Sequence, residues 1–171
     1  MKPETWDIYD INKQPTGQTM IRGDQLKPGQ YHLVIHICYF NEKNQMLIQR
    51  RALDKDNWQG FWDISVGGAV RTQETSQMAA ARESLEELGI TYAFDGVLPR
   101  LTLSFSRGFD DVFLVPISID IDALSFHDHE VCDAKWASES DIIDMIHADV
   151  FVPIHTPEFI HFVFRLKDMQ Y

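Results

Sequence analysis

The sequence predicts an α+β chain folded as a layered α/β/α sandwich around a mixed β-sheet. Short runs rich in β-branched and aromatic residues alternate with turn signals, as strands require. Three other segments carry helix start or stop signals. No internal repeat or low-complexity tract interrupts the 171 residues, a length suited to one domain that buries roughly 68–70% of its unfolded surface.

The first thirty residues read as an N-terminal extension. A core then runs from 31 to 137, and C-terminal helices occupy 138–171. Tyr31 to Phe40 is a strand by its aromatic and branched residues; Asn41-Glu42-Lys43-Asn44 is a turn; Gln45 to Arg50 returns as the second strand. Further strands are expected over Phe61–Val66, Val97–Phe105, Asp111–Ile119 and Val131–Trp136. A helix lies between Thr75, its N-cap, and Gly89, its C′ residue. Ser138 caps a second helix ending near His147. Thr156-Pro157-Glu158 supplies an N-cap, a proline at N1 and an early acid for a third, reaching about Lys167. Phe159, Ile160, Phe162, Val163, Phe164 and Leu166 make that last helix apolar nearly all round, so it is either deeply docked or part of a homodimer interface.

Composition narrows the function classes. The net charge of −11 argues against non-specific binding to nucleic acid or an anionic membrane, which need a positive footprint. No apolar run approaches the ~20 residues of a membrane span, and the start lacks a signal-peptide pattern. Two cysteines, Cys38 and Cys132, suggest free thiols rather than a disulfide framework. A cytoplasmic protein is expected.

The most informative segment runs from Gly68 through Glu74 to Arg82-Glu83-Ser84-Leu85-Glu86-Glu87-Leu88-Gly89-Ile90. At about 100° per residue, Glu83, Glu86 and Glu87 share one helical arc, while Met78, Ala81, Leu85 and Leu88 form an apolar arc expected to anchor the helix. Like charges at i,i+3 and i,i+4 destabilise a bare helix by roughly 0.2–0.5 kcal/mol per pair, so a positive partner is expected. With oxygen donors and no Cys or His in the cluster, Mg²⁺ or Mn²⁺ suits it better than zinc.

These residues closely resemble the Nudix box, G-x5-E-x7-R-E-U-x-E-E-x-G-U, where U is a bulky aliphatic residue. Gly68, Glu74, Arg82, Glu83, Glu86, Glu87, Gly89 and Ile90 all match, and only Ser84 departs, with an expected effect on packing or substrate choice. The resemblance implies a Nudix sandwich, metal held by Glu83, Glu86, Glu87 and the Gly67 carbonyl, and a structural role for Gly68 and for Glu74 paired with Arg82. It also implies that Glu130, six residues before Trp136, matches the family's distal glutamate, a further ligand or general base. Asp110 and Asp111 compete for that role because they too precede a strand.

Other polar residues admit simpler readings. His127 and His129 share one side of a short stretch, but a wet turn explains them better than a transition-metal site. His32 and His36 alternate with Leu33, Ile35 and Ile37 as core or edge histidines would. Arg50, Arg51 and Lys55 are either surface charges after a strand or substrate-binding cations suited to phosphate oxygens. Trp58, Phe61 and Trp62 are available for the core or for stacking on a base, with Trp62 assigned to the core.

Arg50 to Trp62 also resembles isopentenyl diphosphate isomerase, which shares the Nudix fold, and Trp6-Asp7-Ile8-Tyr9-Asp10 with Pro15-Thr16-Gly17 is similar to an extension in isomerase-like bacterial Nudix proteins. The isomerase needs a cysteine and a metal-binding histidine where this chain has Gly67 and Ala69. The expectation is therefore a Mg²⁺-dependent hydrolase cleaving a pyrophosphate bond in a small phosphorylated substrate, a nucleoside diphosphate derivative or a nucleoside di- or triphosphate. Glu86 or Glu130 would deprotonate the attacking water. The isomerase and a non-catalytic nucleotide-binding module are the alternatives.

Overall fold

The computed structural model describes residues 3–126 and 130–169, so the expectation for His127 and His129 lies outside the described residues. Within them the chain forms β1 (Thr5–Tyr9), β2 (Pro15–Ile21), β3 (His32–Phe40), β4 (Met46–Arg51), β5 (Trp62–Asp63), β6 (Val66–Ala69), α1 (Ser76–Leu88), β7 (Leu101–Phe105), β8 (Gly108–Pro116), a 3-10 turn (Ile121–Ala123), β9 (Val131–Ala137), α2 (Glu139–His147) and α3 (Pro157–Leu166). No helix among them is long and apolar enough to cross a membrane.

β3 organises the sheet because its alternation supplies both faces. Leu33, Ile35, Ile37 and Tyr39 enter one core with Ala79, Ala80 and Leu88 of α1, while Cys38 and Phe40 enter a second core with Ile142 of α2 and Ile160, Val163 and Phe164 of α3. This is the expected α/β/α sandwich. At about 1.5–3 kcal/mol per fully buried large aliphatic or aromatic side chain, the two cores supply the main drive to fold. The terminal helix spends its apolar residues on that docking, with Phe162 left half-exposed.

The sheet is mixed and splayed. β3 runs parallel to β8 from His32 opposite Gly108 to Phe40 opposite Pro116, and antiparallel to β6 from Val34 opposite Ala69 to Ile37 opposite Val66. It meets β4 only at Phe40 opposite Met46, after which β4 pairs with β9 and β5. Ser65, fully buried, bridges the gap: its Oγ accepts from the Tyr39 N–H at 2.8 Å and donates to the Leu47 carbonyl at 2.6 Å. The expected strand Phe61–Val66 is therefore two short strands with Ser65 between them.

Other boundaries shift for local reasons. Pro99 has no N–H to donate, and the expected strand from Val97 begins only at Leu101. β8 begins at Gly108 because a tight turn sets Phe105 opposite it. A Cβ at Gly108 would lie 2.4 Å from the His32 carbonyl oxygen, so only glycine fits. The N-terminal extension forms the β1–β2 hairpin, tied to the start of β3 through a Tyr9–Tyr31 bridge and to the loop before α1 by Thr72 N–H donating to the Thr5 carbonyl at 2.8 Å.

α1 carries the caps expected of it. Thr75 accepts from the Met78 N–H, and Gly89 takes a left-handed φ of 70°. Its buried face is rotated from the amphipathic expectation: Leu88 is buried and Ala81 packs on the core as expected, but Met78 and Leu85 are 54% and 48% exposed, while Ala79, Ala80, Ser84 and Glu87 are buried. The helix packs on β6, where Gly67 and Gly68 allow close approach, and close approach selects Ala and Ser over Met and Leu. Ser84 falls in that buried face. It hydrogen-bonds Tyr39 Oη at 2.7 Å and donates to the Ile90 carbonyl at 3.1 Å, so the tyrosine hydroxyl supplies the proton between the two side chains. The Tyr39–Ser84 contact is a packing role for the one residue that departs from the box.

Ser84→Ala should cost about 1–3 kcal/mol, because it strands a buried tyrosine hydroxyl and a carbonyl. Tyr39→Phe combined with Ser84→Ala should cost less than the sum of the single changes in urea denaturation.

Candidate active site

The box folds around Arg82. Nε and Nη2 fork onto Glu74 at 2.7 and 2.8 Å, Nη2 also donates to the Ala69 carbonyl at 3.0 Å, and Nη1 reaches Glu83 at 2.6 Å and Glu86 at 3.1 Å. Glu74 further accepts from the Arg71 N–H at 2.9 Å, closing the loop before α1. Burial opposes the Glu74 charge, yet the Arg82 fork and the Arg71 contacts hold its carboxyl below the usual range. The expected Glu74–Arg82 brace is present, and the arginine also orders two of the three glutamates.

Those glutamates are costly to charge where they stand. Burial pushes Glu83 up to about 7 despite the Arg82 charge beside it. Glu87 is also raised well above the usual carboxylate range, by burial and by the neighbouring Glu83 charge, although Gln49 Nε2 donates to its Oε2 at 2.8 Å. Glu86 lies nearer solvent, with Arg71 at 3.4 Å. Gly68 leaves the space that Glu83 occupies: a Cβ there would sit 2.2 Å from the glutamate Cδ and force the side chain to shift. On the paired strand, a Cβ at Gly67 would sit 2.7 Å from His36 Cδ2.

A cavity of about 1080 Å³ opens over this face and takes in Gly67, Gly68 and all three glutamates. Glu130 lines it too, its carboxylate 2.7 Å from Lys55 Nζ. Of the competing aspartates, Asp110 faces the cavity and bonds His36 Nδ1 at 2.8 Å, whereas Asp111 points into the opposite layer and is held by Lys13 and Thr102. The arginines at the cavity are Arg22 and Arg71. Arg50 instead donates to the Gly60 carbonyl, and Arg51 to the Asn57 carbonyl with Asp63 at 3.6 Å. Arg50, Arg51 and Lys55 do not line the cavity, because their β4 and loop positions engage them with neighbouring chain segments. Trp62 packs on the second core under Lys135, as expected, while Trp58 lines the cavity.

Sequence reasoning missed a second polar cluster on the wall. His155 Nε2 pairs with Asp63 at 2.9 Å across 92 residues, and its ring meets that of His36 edge-on at 5.3 Å. Burial opposes charge on His36, but Asp110 outweighs it and raises the imidazole above its usual value. No spacing signal links Asp63 to His155; only the fold joins them.

Whether the glutamates suit a metal turns on their chemistry. Three hard carboxylates, of which Glu87 is buried and Glu83 partly buried, both with raised pKa values, match the oxygen donors that Mg²⁺ and Mn²⁺ take. As they stand, no three His, Cys, Asp or Glu side chains among the described residues converge on one point, because Arg82 holds Glu83 and Glu86 and Gln49 holds Glu87. The donor set fits such a cation in kind, and the cation would compete with Arg82 for two of its ligands.

Arg82→Ala should lower stability by roughly 3 kcal/mol, since it strands partly buried carboxylates, and thermal denaturation should register the loss. Gly68→Ala should displace Glu83 by steric contact and reduce activity more than melting temperature.

Known proteins place this architecture. A profile of the NUDIX domain matches residues 30–156. An uncharacterized Nudix hydrolase of Listeria monocytogenes is 39% identical over 165 residues, covering 96% of each chain. An isopentenyl-diphosphate Delta-isomerase of Shigella flexneri is 33% identical over 152 residues, covering 85% of this chain and 84% of its own. The crystal structure of DR0079 from Deinococcus radiodurans superposes with a TM-score of 0.74 at 21% identity, covering 95% of this chain and 99% of its own. With its box folded around Arg82 and its match spanning most of its length, the chain belongs to the NUDIX domain family, as a Nudix hydrolase of the kind that acts on phosphoanhydride bonds.

Proposed function

We propose that the chain is a Mg²⁺-dependent pyrophosphohydrolase acting on a nucleoside diphosphate derivative or a nucleoside di- or triphosphate. The observation that carries this reading is the set of three glutamates on α1, Glu87 buried and Glu83 and Glu86 partly buried, at the floor of a cavity large enough for a nucleotide. Glu83, Glu86, Glu87 and the Gly67 carbonyl would hold the cation, with Mn²⁺ as a substitute. When bound, it would lower the pKa of a water and offset charge on phosphoryl oxygens.

The chain's own residues divide the remaining work. Arg71, beside Glu86 at the cavity wall, offers a planar cation to phosphate oxygens, and Arg22 offers another at the rim. These two replace Arg50, Arg51 and Lys55 as substrate-binding cations. Glu87 is buried, whereas Glu86 and Glu130 are 29% and 42% exposed at the cavity and are the carboxylates suited to orient the attacking water and accept its proton. The two unpaired cysteines, Cys38 and Cys132, are compatible with the cytoplasmic setting in this reading.

Isomerase activity is the second reading, favoured by the 33% identity to that enzyme. It needs a cysteine at Gly67, where even a Cβ would press on His36 at 2.7 Å, and a histidine at Ala69. Hydrolysis needs neither.

Phosphate release should vanish in excess chelator and return with Mg²⁺. A metal at 100 times its Kd should stabilise the fold by about 2.7 kcal/mol. Turnover that survives verified metal removal would sink this reading. Glu86→Gln and Glu87→Gln should each lose on the order of 10³-fold in kcat, about 4 kcal/mol of barrier, with melting temperature kept. Purified protein should not interconvert isopentenyl and dimethylallyl diphosphate; interconversion at an enzymatic rate would favour the isomerase.

A further inference from the structure

The NUDIX match begins at residue 30, yet three cavity residues, Glu4, Trp6 and Arg22, come from the hairpin before it. They form a preassembled unit. Trp6 Nε1 donates to Glu4 Oε1 at 2.7 Å, and Arg22 Nη1 donates to Glu4 Oε2 at 3.0 Å, so one carboxylate fixes both side chains. The Trp6 ring stacks on His32 at 5.1 Å with 16° between planes, and Phe105 meets His32 edge-on at 5.5 Å. Leu103 and Phe105, on one face of β7, remain 41% and 42% exposed within the cavity wall.

Large apolar side chains held uncovered in a concave site mark a surface that a ligand covers. The ligand must be amphiphilic, with an anionic end at Arg71 and the glutamates and an apolar end at this wall. The wall's aromatic rings suit a flat group, because stacking is sequence-tolerant and every nucleobase has a π-face.

We infer that Trp6, Leu103 and Phe105 form a base-stacking wall, with Trp6 set by Glu4, and that the hairpin thereby lets the active site favour a nucleotide over a base-free diphosphate. The inference rests on the nucleotide reading above and assigns which part of the chain recognises the base. Its occupant is the heterocyclic base of a nucleoside diphosphate, while the phosphates extend toward Arg71. The hairpin is also tied to the box loop, where the Gln73 N–H donates to Asp7 Oδ2 at 2.9 Å, so base contact and the box loop share one support.

The test compares ligands that share a diphosphate and differ in the base. ADP, CDP, GDP and UDP are titrated calorimetrically in Mg²⁺ into the full chain carrying Glu86→Gln to prevent turnover, with inorganic pyrophosphate as the base-free control. Added to that chain, Trp6→Leu and Phe105→Leu should each weaken the tightest nucleotide by about tenfold and shift pyrophosphate binding less than about twofold. Trp6→Phe should recover most of the loss, and circular dichroism should verify folding. Equal weakening of nucleotide and pyrophosphate, or no weakening of either, would overturn the inference, as would pyrophosphate binding as tightly as every nucleotide without either change. Nucleotide hydrolysis by the unaltered chain is measured alongside. Turnover with unaffected binding in both variants removes the stacking wall alone, whereas absence of metal-dependent turnover on every nucleotide removes the proposed function.

Discussion

The guanidinium of Arg82 is the interaction on which the rest of the site depends. It contacts the loop through Glu74, the end of β6 through the Ala69 carbonyl, and α1 through Glu83 and Glu86. A planar fork with five donors can serve these directions at once, whereas a lysine offers a compact point charge. Without a cation at this place, three glutamates on one helical face would repel each other and the loop carboxylate. The arginine is thus both a brace and the protein's internal counter-charge for the acids.

The glycine strand explains why α1 presents the face it does. Gly68 leaves room for Glu83, and Gly67 leaves room for His36, so the helix and the central strand both press their polar groups against β6. Helix α1 consequently buries Glu87 and exposes Met78 and Leu85, against what hydrophobic patterning favours, although Leu88 remains in the core. Burying a carboxylate costs free energy unless it is paired. A fold that tolerates this cost at a cavity floor, while two conventional apolar cores supply stability on either side of β3, has its local conflict at the functional site.

The cavity draws on segments far apart in the chain. The hairpin supplies Glu4, Trp6 and Arg22, β3 supplies His32 and His36, and the loop before α3 supplies His155. The splay between β3 and β4, bridged by Ser65, puts Gln49 on β4 within reach of Glu87 on α1. The result is an acidic floor with two arginines and aromatic rings around it. Such a surface suits a phosphorylated ligand only with a cation to mediate, which reconciles the acidic chain with an anionic substrate.

The sequence by itself determined the element types from β3 onward, the caps of the three helices and the box, because these are encoded within windows of a few residues, but not the β1–β2 hairpin. Thr75, Gly89, Ser138 and Thr156 do in the fold what local hydrogen bonding demands of them. The Glu74–Arg82 pair was legible only through the resemblance of the box to the Nudix family. Only tertiary structure decided which face of α1 is buried, since periodicity cannot register that a glycine strand admits small and acidic side chains more readily than Leu85. Tertiary structure also separated Asp110 from Asp111, turned Arg50 and Arg51 away from the cavity, and joined Asp63 to His155. Each of those outcomes depends on which strand lies beside which, and contacts across 92 residues leave no trace in local spacing.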